Sequence, residues 1–231
     1  MSYLITRPQR RPAYVPGFLL TLALSLGIGA GSGVPSSADA QGRSTTVTRA
    51  APVRLSAEDK ALVAKATRYL EGLSAASGRF AQTDAANRVT TGSWFLQRPG
   101  KIRFSYDAPY SLQVVSDGKT VLVWDPRLKT KDTYPLSVTP LSLFVAKQIR
   151  LDRGVQVDRV VKTREGFQLT ARDIRREAEG SITLSFAEGP LRLTDWTVTD
   201  MQGRQTRVVL TTFETRSVDS RLFSLKDVAA P

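Results

Sequence analysis

The sequence predicts a mainly β protein with short helices, nine to eleven strands running antiparallel around one core. Three observations predict it. From Ser77 to Tyr134 apolar residues alternate with polar ones, the mark of strands with one buried face. Turn residues break the alternation about every eight to twelve residues, the spacing of antiparallel sandwiches and barrels. Helical spacing appears in only two clear stretches, one starting at Ser56 and one starting at Thr139.

The length of 231 residues suits one domain, and a hydrophobic fraction of 41% suits a buried core. The N-terminus reads as an export signal. Arg7, Arg10 and Arg11 precede the apolar run Gly17–Ala30, and Ala38-Asp39-Ala40 forms a small-x-small cleavage site before Gln41. The apolar run falls short of the roughly 18 to 20 residues that span a bilayer. Residues 1–40 are therefore expected to be removed, 41–54 to form a flexible leader, and 55–231 to form a single domain. Removal takes away three arginines and one aspartate and leaves a net charge of +10, against +12 for the whole chain. The chain has no cysteine, so burial alone must hold an exported fold together. The expected address is the bacterial periplasm.

The first helix follows from Ser56, whose spacing to Asp59 has the form of a capping box. Leu62, Val63, Ala66, Tyr69, Leu70 and Leu73 then fall on one face, and Gly72 marks the end. Strands of the meander follow, split at Arg98-Pro99-Gly100, Asp107-Ala108-Pro109 and Asp117-Gly118, with Pro126 closing a further strand. Asp117-Gly118 is expected to be a two-residue hairpin loop. Thr139 and Pro140 are expected to cap and open a second helix, in which Leu141, Leu143, Phe144, Val145 and Ile149 are apolar nearly all round. Strands resume at 155–162, 167–171, 181–187, 191–199 and 204–213.

Some chemistry is excluded. With no histidine and no cysteine, Ser-His-Asp and Cys-His catalysis and the usual zinc and copper ligand sets are absent. No cofactor or metal is expected. A two-carboxylate hydrolase stays open as a function class, but Asp107, Asp117, Asp125, Glu165, Glu188 and Asp200 all stand at turns, where acidic residues serve the backbone. The chain is therefore not expected to be an enzyme. A pI near 10.4 permits nucleic-acid binding. The exported address and the scattered aromatics argue against it. Steering toward an acidic partner or an anionic membrane remains open. Periodicity leaves two outcomes for the sheet: a closed barrel filled by its own side chains, or a curved open sheet whose apolar helix covers a cavity.

Specific residues bear on that choice. Phe80-Ala81-Gln82-Thr83, Gly92 through Arg98-Pro99-Gly100-Lys101, Ser116-Asp117-Gly118-Lys119-Thr120 with Trp124-Asp125-Pro126, Thr139-Pro140 through Leu143, and Leu222-Phe223-Ser224-Leu225 occur in that order. Together they resemble the periplasmic outer-membrane lipoprotein carrier family, LolA. The resemblance implies an incomplete, half-open antiparallel β-barrel with a helical lid over a hydrophobic cavity, and a chaperone that carries acylated lipoproteins from the inner to the outer membrane. The implied partners are acylated lipoproteins, an inner-membrane ABC-type release complex and a receptor lipoprotein at the outer membrane, with the carrier itself a monomer. Arg98 is then expected to latch the lid. Trp94, Ile102, Phe104, Leu112, Val114, Val123, Trp124, Leu141, Leu143 and Phe144 are expected to line the cavity, and the 222–225 segment to form a closing strand. A periplasmic lipid- or glycolipid-binding or sensing domain of the same fold is the second reading.

Overall fold

The computed structural model describes residues 55–139, 142–145, 147, 149, 155–173 and 180–229. The expected signal and leader, residues 1–54, lie outside the described residues, as do Pro140 and Leu141. The side chains of Leu143 and Phe144 lie outside them too.

Helix α1, Ala57–Gly72, begins as its sequence dictates. Ser56 Oγ accepts from the Asp59 amide at 3.0 Å, and the Asp59 carboxylate accepts in return from the Ser56 amide at 3.0 Å. The apolar stripe buries Ala66 and Leu70. The polar side pairs with the sheet rim, Lys65 with Glu188 and Glu58 with Lys162.

Eleven strands follow: β1 (Ala75–Thr83), β2 (Val89–Gln97), β3 (Lys101–Tyr106), β4 (Gln113–Asp117), β5 (Thr120–Asp125), β6 (Thr130–Pro135), β7 (Val155–Lys162), β8 (Gly166–Asp173), β9 (Ser181–Ala187), β10 (Arg192–Thr199) and β11 (Gln205–Leu210). They form one antiparallel sheet in the order β6-β5-β4-β3-β2-β1-β11-β10-β9-β8-β7. Two meanders are thus joined where β1 pairs with β11, with Phe80 opposite Leu210. The sheet is open: among the described residues, the edge strands β6 and β7 do not pair with each other.

The sheet is strongly curled. Phe104 of β3 and Trp196 of β10 are four strands apart, roughly 19 Å in a flat sheet. Their ring centroids are 5.9 Å apart. The concave face therefore folds onto itself and carries the core. Trp94, Phe104, Val114 and Val123 are opposite one another across β2 to β5, and Val208, Trp196, Leu184 and Leu169 across β11 to β8. A 3-10 turn, Leu136–Val138, leads from β6 to the short helix α2, Ser142–Val145.

Two local expectations are corrected. The loop between β4 and β5 is Gly118-Lys119, one residue later than expected. Asp117 ends the strand, and its carboxylate accepts the amides of Lys119 and Thr120, both at 2.8 Å. The Thr139 hydroxyl donates back to the Leu136 carbonyl at 2.8 Å, closing the 3-10 turn. Residues 220–223 form a 3-10 turn capped by Asp219, overlapping the strand expected over 222–225. This C-terminal segment straps the convex face, with Leu225 and Val228 covering Val115, Leu122 and Trp124. Arg103 Nη1 donates to the Leu222 carbonyl at 3.0 Å and fixes the strap.

Candidate functional site

Between helix α1 and the concave face is a small apolar cavity of ≈ 20 Å³, room for about one water-sized sphere. Leu70 of α1 and Leu73, its C-cap, form the roof. The strands supply Trp94, Leu96, Ile102 and Phe104 from one meander and Leu193, Trp196 and Leu210 from the other, with Phe213 beyond β11. Trp94 is held by two contacts. Its ring packs on Phe213 at 5.1 Å, and its Nε1 donates to the Thr212 carbonyl at 3.3 Å. The walls are almost wholly apolar, and a space this small holds nothing larger than a water-sized sphere.

Arg98 is the charged residue in the lining. It opens the turn between β2 and β3, and its own amide donates to the Ser74 carbonyl just beyond α1 at 2.8 Å. Its Nη2 donates to the Lys147 carbonyl at 3.4 Å. Burial lowers the Arg98 pKa from its ordinary value, opposed by the charge of Glu71 on α1. The Glu71 carboxylate accepts from the Ile149 amide at 3.4 Å. Two residues on, the Gly100 amide donates to the Val145 carbonyl of α2 at 2.7 Å. The segment around α2 is thus tied to the β2–β3 turn at Val145 and Lys147 and to α1 at Ile149.

The turn is shaped for that task. Gly100 has φ +75°, and a Cβ there would stand 2.6 Å from Cα of Gly118 in the neighbouring turn. Two glycines thus let the β2–β3 and β4–β5 turns touch, with Pro99 exposed between Arg98 and Gly100. Pro126 sits in the β5–β6 turn, where Asp125 accepts the Arg127 amide at 2.9 Å. Deeper in the core, the Tyr106 hydroxyl donates to Gln82 Oε1 at 2.7 Å, and burial raises its pKa.

Of the expected residues, those with described side chains divide into three groups. Arg98, Trp94, Ile102 and Phe104 line the cavity. Leu112, Val114 and Val123 are buried in the same core cluster but away from the lining. Trp124 is on the other face, packed in the cluster under the C-terminal strap, because adjacent strand residues point oppositely. Leu70, Leu73, Leu96, Leu193, Trp196, Leu210 and Phe213 were not among the expected lining residues. The helical stripe of α1 pointed to Leu70 and Leu73. Nothing local pointed to the residues of β10 and β11. Among the described residues no group of three or more acidic side chains gathers to hold a metal ion, and no helix is long and apolar enough to cross a membrane.

The family model described as "Outer membrane lipoprotein carrier protein LolA" matches residues 71–226. An outer-membrane lipoprotein carrier protein of Pseudomonas syringae pv. tomato is 30% identical over 174 residues, covering 64% of this chain and 75% of that one. One from Methylobacillus flagellatus is 38% identical over 89 residues, covering 35% of this chain and 43% of its own. Among solved structures, a LolA superfamily protein from Nitrosomonas europaea aligns with TM-score 0.43 at 9% identity, over 71% of this chain and 97% of that one. An uncharacterized conserved protein from Thermus thermophilus aligns with TM-score 0.45 at 11% identity, over 72% and 96%.

Proposed function

The chain belongs to the outer membrane lipoprotein carrier family, LolA, and from that membership we propose that it is a periplasmic chaperone that takes the acyl chains of lipoproteins into the cavity under α1 and carries them to the outer membrane. The reading is supported by an apolar concave face roofed by α1, with the segment around α2 joined to the β2–β3 turn and to α1 by a few polar contacts that a lid would have to break. An acyl chain gains about 0.8 kcal/mol per buried methylene, roughly 10 kcal/mol for one long chain. Such a ligand can drive the lid off. It must then leave again, so part of that energy has to be offset. Breaking Arg98–Lys147 and Gly100–Val145 on entry does this, because both bonds are regained on release.

In this account Arg98 is a positioning residue for the lid, and the chain has no catalytic residue. Its partners are an inner-membrane ABC-type release complex on loading and a receptor lipoprotein on delivery. Residues 1–40 are its export signal. Mass spectrometry of material co-purified from the periplasm tests the reading. A triacylated protein in the complex supports it. Free lipid alone contradicts it and favours a lipid-binding or sensing domain.

A further inference from the structure

The end of the sheet away from Arg98 carries a second surface. The antiparallel register gathers four turns there: 84–88, 107–112, 126–129 and 200–204. The turns at 98–100 and 118–119 are at the opposite end. Among the described residues, three large hydrophobic side chains are prominently exposed: Val89 at 61%, Leu128 at 38% and Met201 at 59%. All three belong to the first end, in or directly beside turns 84–88, 126–129 and 200–204. Exposed hydrophobics scattered singly need no explanation, whereas a gathering at one end does.

Each of those three turns also presents an arginine. Turns 84–88 and 200–204 are built alike. Asp84 accepts the amides of Ala86 and Arg88 and the Arg88 Nε; Asp200 accepts the amides of Gln202 and Arg204 and the Arg204 Nε. In the third, Asp125 accepts the amides of Arg127 and Leu128, and the Arg127 guanidinium lies 4.9 Å from the Tyr110 ring centroid. The carboxylates sit inside, their side chains 9%, 5% and 5% exposed for Asp84, Asp125 and Asp200. The guanidiniums face out, at 41%, 42% and 58% for Arg88, Arg127 and Arg204. The charge that reaches the surface is therefore positive even though each pair is neutral. Lys129 and Lys131 add to it with no ion-pair partner among the described residues, and Asp132 offsets one of them.

We propose that this end docks on an anionic phospholipid surface, with Leu128, Met201 and Val89 entering the interface and the neighbouring arginines and lysines meeting head-group phosphates. The apolar side chains stand on three separate turns, each beside a cation. A fluid anionic surface meets such separated amphipathic points together, combining shallow apolar insertion with electrostatic attraction. The purpose of the docking rests on the carrier reading, since it would hold a carrier at the membranes it serves. The docking itself does not depend on cargo.

The test is co-sedimentation of the cargo-free protein with vesicles of phosphatidylethanolamine and phosphatidylglycerol, and with vesicles of phosphatidylcholine alone. Binding is expected on the anionic vesicles and is expected to weaken with salt. Lys129→Gln with Lys131→Gln should lower it roughly 25-fold, at about fivefold per lysine near an anionic surface. Leu128→Ser with Met201→Ser should lower it independently, with the thermal midpoint of either variant unchanged. No vesicle binding, equal binding to neutral vesicles, or binding unaltered in both variants overturns the proposal. The vesicles hold no lipoprotein and the co-purification experiment requires no vesicle, so the docking and the carrier reading fail separately.

Discussion

The Gly100 amide and the Val145 carbonyl are joined at 2.7 Å, a main-chain bond between the β2–β3 turn and helix α2. The same turn carries Arg98, whose Nη2 reaches the Lys147 carbonyl. The β2–β3 turn and the segment around α2 are therefore connected through backbone and side chain at once, and the side-chain half can be removed without disturbing the other.

Arg98→Leu should weaken lid closure and leave the fold intact. Losing a hydrogen bond to a charged group is worth about 1.5 to 3 kcal/mol, roughly 10- to 100-fold in affinity. Since the latch opposes loading, the variant should hold acylated cargo more tightly and release it more slowly by about that factor. Transfer of a purified complex to an acceptor, followed over time, measures this.

Gly100→Ala should cost stability through two terms. The residue has φ +75°, and its new Cβ would meet the Gly118 backbone. Left-handed backbone costs an alanine about 1 to 2 kcal/mol, and the contact adds to it. A loss of roughly 2 to 3 kcal/mol corresponds to a fall of about 5 to 10 °C in thermal midpoint for a domain of this size, readable by calorimetry.

Acid should destabilise the fold at its turns. Burial raises the carboxyls of Asp84 and Asp200, but hydrogen bonds from Arg88 and Arg204 and from the turn amides outweigh it and hold both below the ordinary aspartate value. A depressed folded pKa means that the unfolded chain binds the proton more readily. The stabilisation is thus complete above the unfolded value of about 3.9 and is lost as pH falls through the lower folded values. With no histidine in the chain, little should change between about pH 5 and 8. Urea midpoints should fall below about pH 4, and less steeply in Asp84→Asn with Asp200→Asn.

Much of the fold was legible because its signals are local. The Ser56–Asp59 capping box, the stripe on α1 and the alternation along β3 each report a contact between near neighbours in the chain. What bends the sheet is different. Phe104 meets Trp196 because the two meanders join at β1 and β11, and no period in either segment encodes that meeting. Leu193, Trp196, Leu210 and Phe213 of the cavity wall were missed for this reason. The error at Trp124 is of another kind. Val123 and Trp124 are adjacent in one strand and cannot both face the cavity, so the alternation already assigned one of them to the convex face. Residues 222–225 were expected to form a strand from motif resemblance alone. Asp219 caps a 3-10 turn there instead.

The three tryptophans of the chain give the central claim its most direct measurement. Trp94 and Trp196 line the cavity, while Trp124 lies under the C-terminal strap. Three variants, each retaining one tryptophan with the other two replaced by phenylalanine, can be loaded with an acyl chain brominated along its length, and quenching compared. If acyl chains enter under α1, the Trp94-only and Trp196-only proteins are strongly quenched and the Trp124-only protein keeps its emission. Equal quenching of all three, or quenching confined to Trp124, would contradict the account.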